Sequence, residues 1–212
     1  LVSGLKGDLD TYELIQKDLK KTPGNITLFV LGDMIGPEKN CNRLLHRLIN
    51  PKSNDLQPWC IYGWWEEQIL LESGYRGDQR AEALRINKGE EVVKSLTNAV
   101  DKSFLDWIAA LQFGFVELDC GLIHGSSKDV GENLTLDTPP LTLLDRLTRL
   151  QVNRLFTARS KQQFHLELTE GIVNSEVEDL NGNRKKEQKV PQKAVIGTVS
   201  YTHLRAHETT EH

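Results

Sequence analysis

Two side chains that could hold a metal ion follow predicted strands of this 212-residue chain. Asp33 comes after Gly32 at the end of one apolar run, and His124 ends another such run and precedes Gly125. Proteins hold divalent cations with carboxylate oxygens and imidazole nitrogens, and such cations make hydroxide from bound water. We therefore expect Asp33 and His124 to share one site as its metal-binding residues. The alternatives are that Asp33 caps a turn and that His124 is a structural histidine.

Two cationic side chains occur at comparable places in the chain. Lys6 lies in the segment SGLKGDLD, and Arg159 lies in RLFTARS, which ends a predicted strand. A fixed positive charge repels a metal ion strongly at contact distance in a partly dehydrated site. Lys6 is instead expected to occupy the space that a metal cation would fill and to pair with Asp33. Lys6 and Arg159 together are expected to bind an anion. The alternative for Lys6 is an ordinary solvated lysine.

A further segment, CIYGWWEEQ, brings aromatic side chains to another predicted strand end. Trp64 and Trp65 offer indole N–H donors but no lone pair for a metal ion. They are expected to fill space at the site, with a core or lid role as the alternative. Glu66 and Glu67 are expected to begin a helix, where carboxylates favour the N-terminal dipole. Glu66 is accordingly assigned as a capping or surface residue.

The apolar periodicity predicts the helices and strands that would position these residues. Asp8 is expected to cap a helix over residues 9–19, and further helices are predicted over 40–49, 65–71 and 141–150, with one or two more within 78–111. Strands are predicted over 26–31, 58–62, 113–118, 122–123, 153–157, 164–168 and 194–199, with a further pair around a turn at Asn181 and Gly182. This order indicates an α/β domain with two packed mixed β-sheets flanked by helices.

The predicted domain covers residues 1–199. Its first strand is expected to be truncated, because the chain opens on Leu1 as if inside a strand. Residues 200–212 form a polar stretch with three histidines and no usable periodicity. This stretch is interpreted as a non-native tail, and no function is assigned to its histidines.

Composition excludes several classes of protein. A net charge of -4 gives no reason to expect binding to nucleic acid or to an anionic membrane. No apolar run approaches the ~20 residues that a membrane span needs. The three cysteines are widely spaced and odd in number, which favours reduced thiols and a cytoplasmic location.

In their order and spacing, these segments resemble the five sequence blocks of the calcineurin-like metallophosphoesterases, D-x-H-G, G-D, G-N-H-E, H-G and G-H-x-H. Asp33 matches the second block and His124 the fourth, and Tyr62–Glu67 reads Y-G-W-W-E-E where the family has Y-G-N-H-E-E. Trp65 stands where the family has a histidine that stabilises the leaving oxygen. The family's other ligand positions hold Gly4, Lys6, Trp64, Ala158 and Ser160.

The resemblance implies the fold of this family without most of its metal ligands. The leading hypothesis is a catalytically impaired or inactive phosphoesterase domain that acts as a binding or regulatory protein. This hypothesis assigns no catalytic residues and expects no cofactor. It expects the domain to bind a phosphate-containing ligand or a protein partner. The alternative is an active enzyme that hydrolyses phosphomonoesters or nucleotide polyphosphates with Mn, Fe or Zn on Asp33 and His124. A structural scaffold without ligand is the third possibility, and the oligomeric state is left open.

Overall fold

The computed structural model describes residues 1–160, 163–168 and 193–197. The predicted turn at Asn181 and Gly182, the strands around it and the polar tail lie outside these residues. The helices are α1 Leu9–Leu19, α2 Asn42–Ile49, α3 Trp64–Glu72, α4 Glu82–Lys88, α5 Glu90–Ala99, α6 Leu105–Ala109 and α7 Pro140–Leu150, with a 3₁₀ turn at Lys102–Phe104. The strands are β1 Leu28–Leu31, β2 Pro58–Ile61, β3 Gly114–Glu117, β4 Cys120–Ile123, β5 Arg154–Thr157, β6 Phe164–Leu168 and β7 Lys193–Gly197.

Two sheets contain the described strands. β1 and β2 form a parallel pair, and Val2 makes one parallel bridge to Val30 on the other side of β1. The larger sheet has the order β3-β4-β5-β7-β6, with β4, β5 and β7 parallel and the two edge strands antiparallel to their neighbours. Because β1 and β2 are parallel and β4 and β5 are parallel, the carboxyl ends within each pair lie at one edge of the sheet.

The sheets pack on each other and helices cover their outer faces. Side chains alternate along β1, so Leu28 and Val30 pack with α1 and α2, while Phe29 and Leu31 face the larger sheet. The core between the sheets also contains Leu122. Helices α3 to α6 build a second core, and α7 packs on the larger sheet. The predicted α/β architecture with two packed sheets flanked by helices is confirmed.

The first helix begins as its sequence predicts. The Asp8 carboxylate accepts a hydrogen bond from the Thr11 backbone N–H at 2.9 Å, which satisfies one of the free donors of the first turn. Tyr12 and Ile15 then form the buried stripe of α1.

The segment predicted as one or two helices within 78–111 is more broken than expected. Gly89 has φ +87° and separates α4 from α5, because a left-handed residue cannot continue a helix. Val100 is extended and ends α5, after which the 3₁₀ turn leads into α6. No helix in the described part of the chain is long and apolar enough to cross a membrane.

The buried thiol of Cys41 is expected to make the fold less stable at high pH. Burial raises its pKa from 9.0 to about 11, so its contribution to stability is complete below pH 9.0 and is lost as the pH rises towards 11. In that window Cys41 should lower the free energy of unfolding by up to about 1.4 kcal/mol per pH unit, in addition to the contribution of Cys60, whose pKa burial raises from 9.0 to about 12. Urea unfolding at several pH values measures this slope. The slope should be less steep in Cys41→Ala, where the contribution of Cys60 remains, and an equal slope in both proteins would contradict the assignment.

Candidate functional site

The loop after β1 places Asp33 in an unusual backbone conformation. Gly32 has φ +74° and Asp33 has φ +52°, so two successive residues are left-handed. A Cβ on Gly32 would lie 2.4 Å from the Cα of Gly63, which shows how closely the loops after β1 and β2 approach. Left-handed conformation is uncommon for residues other than glycine, and it often occurs where a side chain is positioned for function.

Glu66 holds these two loops together. Its side chain is fully buried, and its Oε2 accepts the backbone N–H groups of Asp33 at 2.9 Å and Gly63 at 2.8 Å. Its Oε1 accepts the N–H groups of Met34 at 2.7 Å and Ile35 at 3.0 Å. The assignment of Glu66 as a capping or surface residue is therefore only partly correct. It caps α3 through Gly63, but three of its four donors come from the loop after β1.

The charge state of Glu66 reflects two opposed influences. Full burial, and secondarily the Asp33 carboxylate, raise the pKa of Glu66 to about 7. The backbone N–H donors oppose this shift because they stabilise the ionised form. Both oxygens of Glu66 are thus occupied by donors and are not free to bind a metal.

His124 lies beside Asp33, as the sequence predicts, and is 1% exposed. Its Nδ1 lies 2.7 Å from the carbonyl oxygen of Leu31. A carbonyl can only accept, so Nδ1 carries the hydrogen and donates it. Its Nε2 lies 3.3 Å from Asp33 Oδ1 but makes no hydrogen bond within the described residues. In the neutral ring, Nε2 therefore presents a bare lone pair next to the carboxylate.

The backbone carbonyl of His124 fixes the loop after β5. It accepts hydrogen bonds from Thr157 Oγ1 at 3.1 Å, the Ala158 N–H at 2.8 Å and the Arg159 N–H at 2.6 Å. The start of the Arg159 side chain is consequently held next to the end of β4.

Arg159 reaches from this loop towards Asp33. Its Nη1 lies 4.0 Å from Asp33 Oδ2, and its guanidinium carbon lies 4.5 Å from the centre of the Trp64 ring. Burial lowers the pKa of Arg159, and the carboxylates of Asp33 and Asp129 partly offset that effect. A guanidinium over an indole face is a favourable cation–π arrangement. Arg159 therefore brings a cation to Asp33.

Lys6 does not reach the site through its side chain. Its backbone N–H donates to the Asp33 carbonyl at 3.0 Å, but the side chain is exposed, and no ion pair between Lys6 and Asp33 is formed in the described structure. Lys6 has φ +44°, and the base of its side chain lies against Gly36. The expected pairing of Lys6 with Asp33 is wrong, because this turn directs the side chain to solvent.

The two tryptophans differ in burial, although Trp64 also packs against the core that contains Trp65. Trp64 is half-buried at the site and supports Arg159, whereas Trp65 is 7% exposed and belongs to the core of α3 to α6. Their ring centres lie 4.8 Å apart. The prediction that both fill the site is correct for Trp64 only, and Trp65 takes the alternative core role.

These residues do not fit a binuclear metal centre. Among the described residues, no group of three or more histidine, cysteine, aspartate or glutamate side chains could hold a metal ion. Asp33 and His124 supply two suitable atoms, but even catalytic zinc sites generally use three protein ligands. The Arg159 guanidinium also places a permanent positive charge beside Asp33.

Comparison with known proteins identifies the fold. No protein-family model matches the sequence, and no curated protein matches it. Among solved structures, a metallophosphoesterase from Sphaerobacter thermophilus is similar to this chain with a TM-score of 0.55 and 13% identity. A hypothetical protein from Pyrococcus horikoshii is similar with a TM-score of 0.60 and 13% identity. Each alignment covers 94% of this chain and 75% of the other chain.

Proposed function

We propose that this chain is a phosphoesterase-fold domain that does not hydrolyse phosphoesters and instead binds a phosphate-containing ligand at the site of Asp33, His124 and Arg159. The observation that carries the proposal is the Arg159 guanidinium, which lies 4.0 Å from Asp33 Oδ2 on the face of Trp64. A phosphoesterase would need metal ions beside this carboxylate. Here a side-chain cation that cannot activate water lies beside it.

The remaining donors of Arg159 support binding of an anion. Its guanidinium makes an ion pair with Asp33 but no hydrogen bond within the described residues. The side chain is 25% exposed, so a ligand can reach it. A planar guanidinium has five N–H donors in a geometry that matches phosphate oxygens. A phosphate-containing small molecule, or a protein partner that carries such a group, could therefore bind at Arg159.

The neighbouring carboxylate does not supply the missing metal ligand. Both oxygens of Glu66 accept two N–H groups each, so binding a cation would require breaking those bonds. This occupancy supports a site without hydrolytic chemistry.

A metal-dependent hydrolase is the second candidate function, and one observation favours it. Nε2 of His124 is buried without a hydrogen-bond partner among the described residues and lies 3.3 Å from Asp33 Oδ1, and in the neutral ring it carries a lone pair. A histidine whose Nδ1–H is held by a carbonyl is well oriented to bind a metal through Nε2. If this candidate is correct, Mn, Fe or Zn would be held by Asp33 and His124 and would supply hydroxide.

The cysteines support a cytoplasmic location. Cys41, Cys60 and Cys120 are all free thiols, as is usual where the compartment is reducing.

The proposed function predicts phosphate binding that depends on Arg159. On addition of inorganic phosphate, the indole N–H resonance of Trp64 should move and saturate, because Trp64 contacts Arg159. Arg159→Met should abolish this response. Arg154→Met is the matched control, because Arg154 is exposed at the opposite end of β5, and its response should equal that of the unmodified protein.

Metal analysis and hydrolysis of an aryl phosphate complete the test. The purified protein should hold no stoichiometric Mn, Fe or Zn after incubation with each metal, and it should not hydrolyse the substrate. Stoichiometric metal together with hydrolysis that disappears in Asp33→Ala would establish the second candidate. Absence of any Trp64 response would contradict phosphate binding at Arg159.

A further inference from the structure

A second charged site lies away from Asp33 and Arg159. A groove of about 490 Å³ runs between α1, the end of α2 and the loop over residues 52–56. Four cationic side chains and three carboxylates line it: Lys17, Lys20, Arg47 and Lys52, with Asp10, Glu13 and Asp55. The groove thus has one more cation than carboxylate.

Arg47 is the unusual member of this groove. Its side chain is 10% exposed, and its Nη2 is paired with Asp55. Its Nε and Nη1 are buried and have no hydrogen-bond partner within the described residues. Nε lies 3.9 Å from Glu13 Oε1. Buried polar groups in native proteins are almost always hydrogen-bonded, so these two donors indicate a missing acceptor.

The carboxylates of the groove do not supply that acceptor. Asp55 is 2% exposed and is shared between Arg47, Lys20 Nζ at 3.0 Å and the Lys52 backbone N–H at 3.3 Å. Glu13 accepts from Lys52 Nζ at 2.8 Å. Asp10 is exposed at the start of α1. The internal carboxylates are therefore engaged or turned to solvent.

The loop that carries Lys52 and Asp55 is held in place before any ligand arrives. Gln16 on α1 accepts the Leu56 N–H at 3.0 Å and donates to the Leu56 carbonyl at 2.9 Å. Its amide also donates to the Tyr12 hydroxyl at 2.7 Å. Because Gln16 is buried and these bonds are short, the walls of the groove are preorganised, which lowers the entropy lost on binding.

We propose that this groove binds an oxyanion, the phosphate or carboxylate group of a small molecule, through Arg47 and the lysines around it. The anion lies near the amines of Lys17 and Lys52, and a shift of the Arg47 side chain brings its unpartnered donors, which are covered in the unbound groove, into contact with the anion. Lys17 makes no ion pair with another described residue, so its charge is available to the ligand. The site is independent of Asp33 and Arg159 and shares no residue with them.

Amide chemical shifts in a phosphate titration test the proposal. Inorganic phosphate, added at constant ionic strength against sodium chloride, should move the backbone amides of Lys17, Lys20 and Lys52 in a saturable way. Lys17→Ala should weaken binding about three- to fivefold, as expected for one exposed ionic contact. Lys88→Ala is the matched control, because Lys88 is exposed at the end of α4, and its affinity should not change.

Further titrations and one variant identify the ligand chemistry and the role of Arg47. Parallel titrations with sulfate and acetate compare a tetrahedral dianion with a carboxylate. Arg47→Ala would leave the buried Asp55 carboxylate without its partner, so Arg47→Lys, which keeps the charge and removes Nε, is used instead. It should lower the affinity while the far-ultraviolet spectrum stays unchanged.

Two results would overturn the proposal. One is the absence of saturable shifts at these amides with all three anions, as expected if only water fills the groove. The other is phosphate affinity that is unchanged in both Lys17→Ala and Arg47→Lys. Shifts confined to the Trp64 indole would assign phosphate to the Arg159 site alone, and shifts confined to the groove would leave the proposed function without support while this inference stands.

Discussion

Replacing Glu66 with glutamine is expected to lower the free energy of unfolding by about 3 to 6 kcal/mol. The glutamine amide has a single accepting oxygen, so two of the four N–H groups bound by Glu66 would face an NH₂ group. Each lost bond is charge-assisted, and each buried N–H would be left without an acceptor. This single change therefore removes the connection between the loops after β1 and β2.

Urea unfolding of the variant measures the effect, and Glu67→Gln is the matched control. Glu67 is the next residue of α3, is only partly buried and lacks the four-donor arrangement of Glu66. Its substitution should change the free energy of unfolding by less than about 1 kcal/mol. If Glu66→Gln and Glu67→Gln behaved alike, the interpretation of Glu66 as the residue that holds the loops would be wrong.

Gly32→Ala is expected to be the second most damaging change, at about 3 kcal/mol or more. The new Cβ would lie 2.4 Å from the Cα and 2.5 Å from the N of Gly63. Both contacts are with backbone, which can move only if the loop after β2 moves. The φ of +74° adds the strain of a left-handed alanine.

Gly77→Ala separates the two causes. Gly77 has φ +72°, nearly the same as Gly32, but a Cβ there would meet nothing within 4 Å. This control therefore measures backbone strain alone, which is about 1 kcal/mol. Thermal unfolding of Gly32→Ala and Gly77→Ala measures how much more stability the first variant loses. Equal losses of stability in the two variants would show that the close approach of Gly32 to Gly63 does not contribute to the effect of Gly32→Ala.

Part of the site could be predicted because its positions depend on local sequence and sheet topology. Apolar runs that end in a polar residue locate Asp33 and His124 at strand ends. The packing of the two sheets then brings His124 Nε2 to 3.3 Å from Asp33 Oδ1. Arg159 lies at the corresponding end of its strand for the same reason, since it follows β5.

The rest of the site could not be predicted, because it depends on contacts between residues that are distant in the sequence and on backbone conformation. The side chain of Lys6 points to solvent because its own backbone is left-handed, at φ +44°. Glu66 finds three of its N–H partners 31 to 33 positions away in the chain. Trp65 turns into the helical core because α3 to α6 provide a large apolar surface there. In each case the decisive contact is made only when the whole domain has folded.

Glu66 and Trp64 have different physical roles in the loops around Asp33. Glu66 lies in the segment that resembles a phosphoesterase block, and both of its oxygens bind backbone N–H groups. Glu66 therefore stabilises the fold, while Trp64, two positions before it, supports Arg159.

His124 also has a mechanical consequence for the domain. Its ring donates to Leu31 in the smaller sheet, while its carbonyl accepts three donors from the chain at the end of β5 in the larger sheet. Sliding of one sheet along the other would break the hydrogen bond between the His124 ring and the Leu31 carbonyl. Otherwise it would break the hydrogen bonds that join the loop after β5 to the His124 carbonyl at the end of β4. A group that binds at His124 or Asp33 would consequently alter the rigidity between the sheets, and hydrogen exchange of β1 and β5 would respond together.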